Sequence, residues 1–260
     1  IVTARPMAGS TRNVFTSVDL LGGDVAQAAL VGNAYELIGQ MPGVQVTQFN
    51  QGTTSGKFSL RGFNGEGNIN GVKLLIDGIP ANSNSGNMPF IDMVFPLDIA
   101  TIEVVRGTSD ARHGLHAIAG SANILTRRGG DYAEARGSVN SYGTYEGQLA
   151  AGFESGAFTQ NYSAAWRDGE GYRNHSDVER MSLSGRWGLA LGDAVRVGAI
   201  ARYYEGAGEE PGYLTLADRT TDPRMTNGYN ASDADSRDRQ QYALTLDAAL
   251  GGGLDWASIA

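Results

Sequence analysis

From Ala133 onward the chain repeats one pattern: segments of about ten residues in which apolar and polar side chains alternate, separated by short runs of turn residues. Tyr145, Gly147, Leu149, Ala151 and Phe153 share one face against Glu146, Gln148, Ala150 and Gly152. Phe158, Tyr162, Ala164 and Trp166 oppose Thr159, Asn161, Ser163 and Arg167, and Met181, Leu183, Trp187 and Leu189 oppose Ser182, Ser184 and Arg186. The alternation returns in Val195, Val197, Ala199, Ala201 and Tyr203 against Arg196, Gly198 and Arg202, and in Tyr242 to Leu250. A period of two puts alternate side chains on opposite faces of a strand. Nowhere does the chain carry a run of 18 or more apolar residues, the length a helix needs to cross about 30 Å of hydrocarbon, so a transmembrane helix is excluded. A closed β-barrel is the remaining way to span a bilayer.

A soluble β-sandwich also alternates. The connectors argue for the barrel. Glu154 to Ala157, Ala190 to Asp193 and Gly251 to Gly253 are short, whereas Asp168 to Val178 and Glu205 to Ser236 are long, as periplasmic turns and extracellular loops are. Residues 131–260 thus read as roughly the first seven strands of a larger barrel, since an unclosed set leaves backbone groups unsatisfied in lipid.

The earlier part reads as a small mixed domain over residues 14–130, after a polar arm at 1–13. Asn33 and Glu36 have capping-box spacing ahead of Leu37, Ile38 and Met41, and Pro42-Gly43 stops the helix they predict. Val44 and Val46, then Phe58, Leu60 and Phe63, alternate as half-buried strands do. Val72 to Ile76 is a continuous apolar run ending in the turn pair Asp77-Gly78. Asn64 to Gly71 and Pro80 to Met88 are rich in Asn, Gly and Ser, which suits solvated turns first and ligand contact second.

A net charge of -8 argues against nucleic acid as a partner, and the absence of Cys removes disulfides and thiolate chemistry. There is no G-x-S-x-G elbow and no H-E-x-x-H, so no enzyme activity is expected. His113 and His116 lack a third ligand, so no metal site is expected either.

Four motifs in order carry a resemblance. Ser59-Leu60-Arg61-Gly62-Phe63, Leu75-Ile76-Asp77-Gly78-Ile79-Pro80, Ile102-Glu103-Val104-Val105-Arg106-Gly107 and the run Gly114 to Thr126 are similar to the plug motifs of TonB-dependent outer-membrane receptors. Thr108 and His113 depart from that pattern, which more often has Pro and Tyr there. The resemblance implies a mixed α+β plug inside a transmembrane antiparallel barrel of about 22 strands, a size whose lumen holds a domain. It also implies a monomer in outer-membrane lipid, with no cofactor of its own. Ile1, Val2, Thr3 and Ala4 resemble the end of the segment that pairs with a TonB-type inner-membrane energy transducer.

Arg61 and Arg106 are expected to latch the plug to paired barrel carboxylates, or, more plainly, to be solvated strand-end charges. Asn64, Glu66, Asn68, Asn82, Asn84, Asn87 and Met88 are the first candidates for ligand contact, and Tyr172, Arg173, Asn174 and His175 the second. The implied function is uptake of a scarce bulky nutrient, first a ferric siderophore, with cobalamin, haem or a carbohydrate as alternatives. A non-transporting receptor or adhesin and a soluble β-rich binding module are the readings from other classes.

Overall fold

The computed structural model describes residues 17–63, 71–82, 91–107, 117–251 and 254–260. In the first part, β1 (Ser17–Gly22) leads into helix α1 (Gly23–Ala28), then helix α2 (Ala34–Ile38), the hairpin β2 (Val44–Gln51) and β3 (Thr54–Leu60), and strands β4 (Val72–Ile76) and β5 (Ile79–Pro80). After two 3-10 turns come β6 (Ile99–Arg106) and β7 (Gly120–Thr126). Five of these strands form a sheet in the order β1-β6-β7-β4-β5, and β2 pairs β3 separately. The continuous apolar run of β4 reflects its position: it lies parallel to β7, which is buried along its whole length. Asp77 and Gly78 both have positive φ, +53° and +82°, the conformation that a two-residue hairpin turn requires.

Helix α2 starts where Asn33 accepts a bond from the Tyr35 amide and stops before Pro42-Gly43. Glu36 does not close a reciprocal capping box: its Oε1 takes the amide of Gly32, 3.0 Å away, one residue before Asn33. The sequence pattern shows neither α1 nor β1. Only Ala26 of α1 is buried, so its six residues carry no stripe by which to read it.

The second part is a seven-stranded antiparallel meander: β8 (Tyr132–Val139), β9 (Tyr145–Ser155), β10 (Phe158–Gly169), β11 (Val178–Leu191), β12 (Val195–Glu209), β13 (Ala234–Gly251) and β14 (Leu254–Ile259). Strands β12 and β13 pair from Val195 to Glu209, so the loop between them shrinks to residues 210–233 and carries a short capped helix, α3 (Leu216–Thr221). No helix among the described residues could cross a membrane.

The register draws the inner wall as rows across the strands. One row runs Gly152, Asn161, Arg186, Ile200, Ala243; the next Ala150, Ser163, Ser184, Arg202, Gln241; the next Gln148, Ala165, Ser182, Tyr204, Arg239. Leu149, Phe153, Trp166, Tyr242 and Leu244 point the other way and are exposed. The inner wall instead packs on the first part. Tyr204, 2% exposed, belongs to the same apolar cluster as Tyr35, Leu37, Phe58, Leu74, Ile102 and Ile124, so one strand of the wall completes the core of the domain beside it.

Truncating that ring empties a packed site. Tyr204→Ala is expected to cost roughly 3 to 5 kcal/mol, read as an earlier loss of protease resistance in residues 17–126 on urea titration. Tyr203→Ala, on the outer face, should leave that midpoint in place.

Candidate functional site

Where the two parts meet, the dominant feature is a carboxylate with no solvent access. The Asp77 side chain is 0% exposed and lies 2.9 Å from Arg186 Nη1 and 3.6 Å from Arg128 Nη2, with Arg202 Nη2 in direct contact. The amide of Thr126 donates to Asp77 Oδ1 at 3.0 Å and its hydroxyl to Oδ2 at 2.6 Å. Arg202 Nη1 donates to Gln241 Oε1 at 2.7 Å, which aims the guanidinium inward. The turn itself is pinned, because the Asp77 amide donates to Ile124 O and that of Gly78 to Asn123 Oδ1. Burial pushes the Asp77 carboxyl up, but Arg202, Arg186, Arg128 and the Thr126 hydroxyl outweigh it and hold the group well below the usual carboxylate range.

Two more acids of the first part face the wall. Asp92 lies 3.5 Å from Arg180, and Asp98 Oδ2 accepts from Ser184 Oγ at 3.1 Å. Burial raises Asp98 to about 6, helped by the neighbouring Asp77 charge and opposed by Arg202 and the serine hydroxyls. Other wall arginines take main-chain oxygens. Arg136 donates to Gln27 O at 2.7 Å and to Ala29 O, Arg167 to Gly32 O, and Arg239 to Ala81 O at 3.2 Å and Pro80 O at 3.3 Å. At these contacts the wall supplies the cations and the enclosed domain the carboxylates and carbonyls; Arg127 runs the other way, donating to Glu134 of β8 at 2.9 Å.

The residues singled out from the sequence are placed differently from one another. Arg106 contacts Asp19 and Pro42 O and donates to Ser17 Oγ at 2.5 Å, all inside the first part. Arg61 is exposed in a turn with φ +52°. Asn82 spends both ends of its amide on β4: the Leu74 amide donates to its Oδ1 at 2.7 Å, and its Nδ2 donates to Val72 O at 3.2 Å. Arg173 donates to the carbonyls of Pro211 and Met225, at 3.0 and 2.7 Å, and of Gly212. Asn174 and His175 bond the 210–233 loop through Arg224 O and Asp233 O, and Tyr172 stacks edge-on against Tyr142. Asn64, Glu66, Asn68, Asn84, Asn87, Met88, Ile1 to Ala4, His113 and His116 lie outside the described residues.

What sequence reasoning misses is the acid side of the seam. Asp77 reads as half of a turn pair, and Arg186 and Arg202 as polar inward positions. The available signal is the recurrence of Arg at inward parity in successive strands of an acidic chain.

An enclosed mixed domain tied by charge to the inner face of an antiparallel wall is the plug-and-barrel arrangement. The family model described as TonB-dependent Receptor Plug Domain matches residues 10–121. The chain is 25% identical over 98% of its length to a protein of Vibrio vulnificus named vitamin B12 transporter BtuB, and 24% identical to one of the same name from Photobacterium profundum. It spans 44% and 49% of those relatives, about half their length. Among solved structures it resembles the unliganded ferric citrate transporter FecA, with a TM-score of 0.76 and 20% identity over 91% of this chain and 38% of that one. It also resembles the ferric yersiniabactin uptake receptor FyuA of Yersinia pestis, with a TM-score of 0.74 and 19% identity over 90% of this chain and 38% of that one. The plug-domain match over residues 10–121 and these likenesses together support a place among the TonB-dependent receptors. Strands β1 to β7 then make up a plug domain, and β8 to β14 match the barrel strands of such receptors.

Removing one partner of a buried ion cluster strands the others. Asp77→Ala is expected to destabilise plug seating by roughly 3 to 5 kcal/mol, seen as faster amide exchange in β4, β5 and β7. Asp98 has the opposite sign. Its folded-state value of about 6 against 3.8 means that its ionisation works against the seam: stability falls as pH rises from 3.8 through 6, then levels off. Asp98→Asn should therefore stabilise the seated plug at pH 7.5 by roughly 2 to 3 kcal/mol and flatten the slope between those values, as measured by urea titration at several pH values.

Proposed function

We propose that the chain is the plug and the first barrel strands of an outer-membrane receptor that actively takes up a scarce, bulky nutrient complex in a Gram-negative cell. A ferric siderophore is the first choice of ligand, and cobalamin is the second; both are metal chelates too large to diffuse through a narrow pore. The observation that carries the reading is the seam at Asp77: a plug held by matched buried charges is secured firmly, yet with no covalent bond to break when it moves. The plug-domain match supports the direction of transport, and the names of the relatives supply both candidate ligands.

The energy source in this reading is an inner-membrane TonB-type transducer that pairs with the segment holding Ile1, Val2, Thr3 and Ala4, and pulls on the arm ahead of β1. Ligand contact in this reading falls to Asn64, Glu66, Asn68, Asn84, Asn87 and Met88, and to the loop that carries Tyr172 to His175. Arg61, exposed in its turn, serves in this reading as a contact for ligand or for a barrel carboxylate.

Uptake by cells carrying or lacking the full-length gene tests this. Radiolabelled ferric siderophores should enter only with the gene, and deletion of residues 1–4 should abolish entry while leaving surface binding. If iron uptake is unchanged and cobalamin uptake is lost instead, the second ligand replaces the first. Surface binding without gene-dependent uptake would point to a non-transporting receptor, and uptake unaffected by the deletion would remove the transducer's role; either result overturns the proposal.

A further inference from the structure

The tip of the plug hairpin β2–β3 sits in a socket at the root of the 210–233 loop. The Gly52 amide donates to Glu209 O at 3.1 Å, and the Gln51 side chain both donates to Gly212 O at 3.3 Å and accepts from the Gly212 amide at 2.9 Å. Asp235 Oδ1 receives the Thr53 amide at 2.6 Å while its other oxygen takes the Thr53 hydroxyl, and Arg237 reaches Thr54 Oγ1 at 2.7 Å. The fit is close to the backbone: a methyl group at Gly208 would lie 2.8 Å from the main chain of Gly52. Thr53 is 1% exposed, although it lies at a hairpin tip, where solvent is the ordinary neighbour.

The socket does not stand alone. The same loop is tied to residues 170–177 by the three carbonyls on Arg173, by the Asn174 amide on Arg224 O at 2.8 Å, and by His175, whose ring nitrogens lie 2.8 Å from Asp233 O and 3.2 Å from Glu209 Oε1. Arg224 lies over the Tyr172 ring at 5.6 Å, and Tyr172 meets Tyr142 of the 140–144 turn. Hydrogen bonds and ring contacts therefore run without a break from the plug hairpin through the loops after β8, β10 and β12.

We infer that Gln51 to Thr53 and Asp235 form a positioning joint through which the seated plug holds these three outer loops in one arrangement, so that withdrawal of the hairpin tip releases them. The joint sets the order of events: the loops stay fastened while the plug is in place and loosen only after it moves. Asp235 acts here by holding Thr53.

The proposal goes beyond uptake and uses the receptor reading only to name which side the loops face. Hydrogen exchange followed by mass spectrometry on the full-length receptor, without ligand or transducer, tests it independently of transport. Asp235→Ala, the plug-side variant Gln51→Ala/Thr53→Val, and the wedge Gly208→Ala should each speed exchange at least tenfold in peptides covering 170–177 and 213–233. Amides there that touch no plug atom, such as Asn174, should be among those that respond. Protection in β6 and β7 should stay at the wild-type level. Unchanged loop exchange in the plug-side variant overturns the proposal, since any effect of Asp235→Ala would then belong to β13 itself. Loss of protection in β6 and β7 along with the loops also overturns it, placing the contact in plug folding and not between plug and loops.

Discussion

Placing the Asp77 carboxylate out of reach of water would be prohibitive if it were alone; removing an ion from water costs several kcal/mol even after the protein relaxes. It persists because donors from four directions converge on it: Thr126 from the neighbouring strand, Arg128 from the segment leading into the barrel, and Arg186 and Arg202 from the wall. That convergence fixes much else. The two-residue turn must project the side chain outward from the plug sheet, β7 must lie beside β4, and β11 and β12 must present arginines in adjoining rows. A misplaced strand on either side would leave a charge unmatched.

The same logic explains how an acidic chain lines its barrel with cations. The net charge of -8 is a sum over surfaces with different tasks. Outward positions are apolar because they face hydrocarbon, the outer loops carry many of the acids, and the inward arginines answer the plug. Asp98 is the member of the seam that fits least well: burial and the neighbouring Asp77 charge outweigh Arg202 and the serine hydroxyls, so its carboxyl is raised where that of Asp77 is lowered. The seam therefore combines one permanent charge contact with one that depends on acidity.

Much of the architecture is legible in the residues because a period of two is a strong signal when one face must meet lipid and the other a packed plug. Tyr145 to Phe153 or Tyr242 to Leu250 can hardly be read any other way. The ends of β12 and β13 are harder, since Glu205 to Glu209 and Ala234 to Asp238 are polar on both faces and look like loop until their pairing is seen. Strand β1 and helix α1 are too short to show a period. The seam is hidden for another reason: Asp77 and Arg202 stand 125 positions apart, and a turn-forming Asp-Gly pair gives no sign that its carboxylate will be needed elsewhere. Arg106, by contrast, carries a family motif, yet its contacts to Asp19, Ser17 and Pro42 fasten β1 to the plug body.

The arginines that grip main-chain oxygens have an evolutionary consequence. Arg136, Arg167 and Arg239 read the course of the backbone near Gln27 to Gly32 and at Pro80 to Ala81, and a carbonyl is the same whatever side chain it accompanies. Substitutions along those plug segments leave the grip intact provided the chain keeps its path. A side-chain change along those segments therefore costs this grip little, whereas loss of the Asp77 carboxylate strands the cations gathered around it.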